Sequence, residues 1–88
     1  MKMSQQQRIG YGRRALVALL DAKPGGLSAL QLGEILFPDD PIDSAICKSV
    51  MIQKFLRNKG QTLSVNFQGR RIHLLTERGR ANAQKIRG

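Results

Sequence analysis

Ten lysines and arginines (Lys48, Lys54, Arg57, Lys59, Arg70, Arg71, Arg78, Arg80, Lys85 and Arg87) stand in residues 48–88 against the single acid Glu77. Side chains of this kind neutralise phosphates, and the release of condensed counterions then favours binding to a polyanion whatever its sequence. Residues 24–47 are the reverse, with Glu34, Asp39, Asp40 and Asp43 and no lysine or arginine, while residues 1–23 carry Lys2, Arg8, Arg13, Arg14 and Lys23 against Asp21. The formal net charge of +9 is therefore segregated along the chain, which says more about a partner than the total does. The plainer alternative is a solvated basic surface.

Other chemistry is thinly represented. His73 has no second histidine and no cysteine near it in sequence with which to share a metal, so a structural role is expected. Cys47 is the only cysteine; it excludes an internal disulfide and reads as inert packing on a helix. Asp39, Asp40 and Asp43 are explained by turn formation and helix capping rather than by a cation. Residues 10–15 (Gly-Tyr-Gly-Arg-Arg-Ala) superficially match a dinucleotide fingerprint, but no strand precedes them and no βαβ unit surrounds them. No nucleophile stands by motif beside a histidine and no Gly-Lys-Ser/Thr loop is present, so neither an enzyme, a cofactor nor a metal is expected.

The elements that must position the cations fit one small domain of 88 residues, 41% of them hydrophobic. Residues 1–12, polar and containing Gly10 and Gly12, are expected to be a flexible arm, with the domain running over 13–88. Arg13 to Ala22 favours helix, with Leu16, Leu19 and Leu20 on one face, and Lys23-Pro24-Gly25-Gly26 stops it. Leu27 is a short extended residue. Ser28 caps a second helix to about Phe37, with Leu30, Ile35 and Leu36 inward and Leu32 nearby. Pro38-Asp39-Asp40-Pro41 breaks the chain; Asp40 is then expected to cap a third helix with Pro41 at its first position, and Asp43 suits its first turn. That helix runs to about Asn58, where Lys59-Gly60 closes it. Ile42, Ala45, Ile46, Ile52 and Leu56 form its apolar arc, with Ser44, Lys48 and Met51 on the other side and Phe55 near the exposed face.

Beyond Gly60 the period changes to alternation. Leu63, Val65 and Phe67 point one way, Gln68-Gly69 makes a tight turn, and residues 70–75 return, giving a hairpin with arginines at its tip. Thr76 caps a last helix to about Ile86, whose weak stripe of Ala83 and Ile86 suits docking on the domain or on a partner. No apolar run approaches the ~18 residues of a membrane span, and the start lacks the apolar stretch of a secretory signal, so a cytoplasmic location is expected.

This order of elements resembles the winged helix-turn-helix domains of bacterial transcription regulators. Residues 27–36 (Leu-Ser-Ala-Leu-Gln-Leu-Gly-Glu-Ile-Leu) are similar to that family's short first strand and second helix. Residues 55–60 (Phe-Leu-Arg-Asn-Lys-Gly) look like the exit of its recognition helix, and residues 74–80 (Leu-Leu-Thr-Glu-Arg-Gly-Arg) like the end of its second wing strand and the following helix. The likeness spans residues 13–86. Residues 38–41 make a longer and more acidic turn than the family usually has, and its long dimerisation helices are missing.

The resemblance implies an α+β, mainly α fold: a three-helix core, a two-stranded β-wing and a short C-terminal helix. It also implies sequence-specific binding of double-stranded DNA, with a recognition helix over 42–58 in the major groove and a basic wing over 62–75 on the minor groove or backbone. Ser44, Lys48, Ser49 and Met51 would then face the bases, with Lys48 on a guanine edge and Met51 on a thymine methyl. Gln68, Arg70 and Arg71 would serve the wing, and Lys54, Arg57, Lys59, Arg13 and Arg14 would hold phosphates without reading sequence. Transcriptional repression at the nucleoid is the expected use. An architectural accessory in recombination, excision or replication, and a winged-helix module for a protein or RNA partner, stay open, as does a second copy or other protein on the C-terminal helix.

Overall fold

The computed structural model describes residues 3–22 and 25–88. Within them the chain forms α1 (Gln5–Asp21), α2 (Ala29–Leu36), α3 (Ile42–Asn58), β1 (Thr62–Phe67), β2 (Arg70–Leu75) and α4 (Glu77–Arg87). The fold is α+β and mainly α, with β1 and β2 paired antiparallel as a two-stranded sheet. Among the described residues no helix is long and apolar enough to cross a membrane.

Helix α1 begins at Gln5, so residues 5–12 are helix rather than the expected arm. The cause is local: Ser4 Oγ accepts from the Gln7 amide while the Gln7 side chain accepts from the Ser4 amide, a reciprocal capping box. Gly12, which argued for a loop, is buried, and a Cβ there would stand 3.3 Å from Leu56. Lys23 and Pro24, the expected stop after α1, lie outside the described residues.

Ser28 caps α2 with the same reciprocal box through Gln31. The helix turns Leu32, Gly33 and Leu36 inward, and leaves Leu30 and Ile35, expected to face inward, exposed. Gly33 sets this rotation: a Cβ there would lie 2.8 Å from the Ala45 carbonyl oxygen, so only glycine lets α2 and α3 approach so closely. The core below is built around Leu16, Leu32, Ile52 and Leu56, and includes Ala15, Leu19, Leu36 and Ala83. Full burial of one such leucine or isoleucine contributes about 1.5–3 kcal/mol.

At the start of α3 the expected cap is corrected. Pro41 itself is the N-cap, without a side-chain hydrogen bond, and Asp40 instead pairs with Lys48 at 2.5 Å. Ile42, expected in the apolar arc, is 59% exposed.

Two ties hold the hairpin on the helices. Leu27 bridges to His73 through hydrogen bonds of 3.1 and 2.8 Å, adding a one-residue strand beside β2. Thr76 caps α4 by accepting from the Gly79 amide at 3.1 Å while its hydroxyl donates to the Gly60 carbonyl at 2.7 Å. A Cβ on Gly79 would collide with the Gln61 carbonyl, which explains the glycine at that position. Helix α4 buries Ala83 and partly buries Ile86 against the core, and Arg87 pairs with Asp21 at the end of α1.

Candidate nucleic-acid interface

The solvent-facing stripe of α3 consists of Asp43, Cys47, Val50, Lys54 and Arg57, spaced by four, three, four and three residues. That spacing keeps them on one side of a 3.6-residue helix. It is rotated by about one residue, roughly 100°, from the expected face, which changes the role of every proposed base reader. Ser49 is fully buried and accepts a 3.0 Å hydrogen bond from the Gln53 amide, itself buried, so neither reaches a groove. Met51 packs against the core. Lys48 is only partly exposed; its ammonium is held by Asp40 and lies 5.2 Å from the centre of the Phe37 ring. Ser44 is half-buried. Phe55, expected near the exposed face, is partly buried against the core with Lys59 over its ring at 4.8 Å. Cys47, expected in packing, is exposed.

The phosphate candidates fare differently. Lys54, Arg57 and Lys59 are exposed at the C-terminal end of α3, and Arg70 and Arg71 are exposed on β2. From residue 44 to residue 76 the chain contains no aspartate or glutamate, so apart from Lys48 these cations have no carboxylate neighbour in sequence. None of the five takes part in an ion pair among the described residues, which hold the pairs Lys48–Asp40 and Arg87–Asp21.

The junction between α3 and the hairpin is polar and specific. Cross-strand pairs share a face, so Ser64 with His73 and Asn66 with Arg71 lie on one side of the hairpin, and Val65 with Ile72 and Phe67 with Arg70 on the other. On the first side Arg57 Nη1 donates to Ser64 Oγ at 3.3 Å, and Ser64 Oγ lies 3.0 Å from His73 Nδ1. Burial, then the guanidinium of Arg57, then that of Arg71, lower His73 from 6.5 to about 4. A neutral ring lets the Ser64 hydroxyl donate to Nδ1 while it accepts from Arg57. Arg57 reaches Ser64, beside His73, on the hairpin face that also carries Arg71, which brings the α3 cation and the hairpin cation to one side of the hairpin. Gln68 and Gly69 both have positive φ, 51° and 78°, which makes the two-residue turn that presents Arg70 beside Phe67.

Other sites join this surface unevenly. Arg8 on α1, which sequence reasoning left in the arm, lines a cleft of about 340 Å³ with Lys54, Phe55 and Asn58. The Ser4-x-x-Gln7 box was the signal that would have placed it on a helix. Arg13 borders a smaller cavity with Lys59 and Gln61, near the end of α3. Arg14 points elsewhere, 5.4 Å over the Tyr11 ring and beside the groove between α1, α2 and α4, and is not brought to the hairpin. Ser64 and His73 were not legible as interface residues, because they act through Arg57 rather than by facing solvent.

Among the described residues no three of histidine, cysteine, aspartate and glutamate come together. The arrangement can bind an extended anion by distributed charge, and it offers few hydrogen-bonding groups for anything more selective on the α3 stripe. Compared with protein-family models, with curated proteins and with solved structures, the chain gives no match.

Proposed function

We propose that this chain is a winged helix-turn-helix protein that binds double-stranded DNA, laying the outward face of α3 in the major groove and the β1–β2 hairpin, as a wing, on the minor groove or backbone. One observation carries this: Lys54, Arg57, Arg70 and Arg71 are exposed on two adjoining elements, free of carboxylate partners among the described residues, with Arg57 bonded to Ser64 on the hairpin face that also carries Arg71. Further support comes from the order of elements, with the Leu27 bridge as a third short strand and Gly33 fixing a close α2–α3 crossing. In this role the protein works in the cytoplasm at the nucleoid, without catalysis, as a repressor that occludes a promoter.

The α3 stripe favours a second use of the same surfaces. Cys47 and Val50 occupy the middle of the face that would meet the bases, and neither makes the bidentate contacts that discriminate base pairs. Asp43 can accept from a cytosine amino group, but Lys54 and Arg57 at the other end suit phosphates. An architectural DNA accessory, gripping the backbone and reading deformability, also fits this chemistry.

The deciding experiment is fluorescence anisotropy of a labelled mixed-sequence duplex of about 25 base pairs across a salt series, with single-stranded RNA beside it. Five or six neutralised phosphates give a log–log slope of about −4 to −6. Replacing Arg70 and Arg71 together by alanine is expected to flatten that slope by about 2 and weaken binding at least tenfold. Weak duplex binding that hardly responds to salt would reject DNA as the partner.

A further inference from the structure

The hairpin carries an aromatic side chain where a soluble domain gains nothing from it. Phe67 ends β1 and is 62% exposed, the most exposed of the large apolar side chains among the described residues. It continues a line down the same face through Val65 and Leu63, 39% and 40% exposed. A single exposed apolar residue is ordinary; a ring beside a two-residue turn, with an arginine as its cross-strand neighbour, is a placement. Its cross-strand partner is Arg70, and Arg71 stands on the opposite face of the same tip. The hairpin holds no acidic residue.

A surface with an apolar point and positive shoulders complements an apolar slot between negative walls. The minor groove of a DNA duplex has this form, with phosphates along both edges and stacked bases at its floor. Strands of a hairpin lie about 5 Å apart and the groove is about 6 Å wide, so the tip enters only if the groove opens. Apolar side chains wedged between base pairs open it, partly unstacking one step and kinking the duplex toward the major groove. Pyrimidine–purine steps yield most easily.

We propose that Phe67 is a wedge, that it inserts between base pairs in the minor groove while Arg70 and Arg71 hold the flanking phosphates, and that the protein bends the DNA it binds. This rests on the duplex-binding function proposed above. It supplies the specificity that Cys47 and Val50 do not, because a kink selects deformable sequence without base contacts.

The test is ligase-mediated cyclisation of DNA fragments of about 130 base pairs, shorter than the ~150-base-pair persistence length, at saturating protein, with affinity measured separately by anisotropy. The native protein is expected to accelerate ring closure about tenfold or more, as a kink relieves part of the bending cost of a short ring. Phe67→Ala should lose most of that acceleration while its affinity falls less than about tenfold and its thermal melt is unchanged, as suits an exposed residue. Phe67→Leu, still an apolar wedge, should retain most of it. Ring closure by Phe67→Ala at the native rate, or tight native binding with no acceleration, would overturn the wedge and leave duplex binding standing. Absence of salt-dependent duplex binding by the native protein would remove both.

Discussion

The two halves of α3 carry lysines of equal formal charge and opposite fate. In the first half Asp40 and the Phe37 ring hold Lys48 partly out of solvent, and Asp43 adds a second negative charge nearby. In the second half Lys54 and Arg57 stand on the outer face with no carboxylate paired to them, and the hairpin that follows adds Arg70 and Arg71. Counting charges along a helix therefore misjudges what a polyanion would meet. Only cations that the fold leaves without partners attract phosphate at full strength, and here they cluster where α3 meets the hairpin.

His73 is the internal probe of that difference, since it is buried beside Ser64, which Arg57 reaches, on the hairpin face that also carries Arg71. Its folded value of about 4 lies below the ordinary 6.5. Below pH 6.5 the unfolded chain accordingly takes up a proton that the folded chain refuses. Stability is full above about pH 6.5 and is lost progressively as pH falls toward 4, by roughly 3 kcal/mol in all. For a small domain this is a large share of the total. Urea unfolding across that range should show the loss, and His73→Gln, which does not titrate, should show much less of it. Equal pH dependence in the two proteins would mean that the junction is not the positive environment described.

A smaller effect separates Lys48 from Lys54 directly. Lys54→Ala should flatten the salt dependence of duplex binding by about one unit and weaken binding several-fold. Lys48→Ala should leave the slope unchanged and instead cost up to about 1 kcal/mol of stability, because its pair with Asp40 is partly exposed and screened. The comparison between the halves of α3 fails if Lys48→Ala flattens the slope as much as Lys54→Ala does.

The element boundaries were largely legible because local chemistry writes them. Ser28 with Gln31 starts α2, Lys59-Gly60 ends α3, Gln68-Gly69 turns the hairpin and Thr76 starts α4. Even the missed start of α1 had its local sign in Ser4 and Gln7, outweighed by two glycines, one of which serves packing against Leu56. The candidate surface was legible for the free cations and illegible for the base readers, because those were picked by polarity rather than by angle. The expected arc of Ala45, Ile52 and Leu56 is buried as read, and at about 100° per residue Ser49 falls within that arc, Ser44, Lys48 and Met51 lie on its flank, and Cys47, Val50 and Lys54 stand opposite it. Polarity alone does not say which way a helical side chain points. Nor does any local rule join Asp40 to Lys48 across the start of a helix.

The buried arc of α3 holds a polar pair whose energetics give the finest test. Gln53 donates its amide to Ser49 Oγ at 3.0 Å, while among the described residues Gln53 Oε1 is buried with no partner. A buried carbonyl without a hydrogen bond is a cost, and so is a donor stripped of its acceptor, each about 1–3 kcal/mol. Ser49→Ala alone should therefore destabilise by about 1 kcal/mol, since it strands the Gln53 amide as well. Joining it to Gln53→Leu removes both polar groups at similar volume, and should return stability to the native level or slightly above it. Chemical denaturation measures both steps, and duplex affinity should move in neither, because neither side chain reaches solvent. A folded Ser49→Ala protein with altered duplex affinity or sequence preference would show that this face of α3 turns outward when it meets DNA.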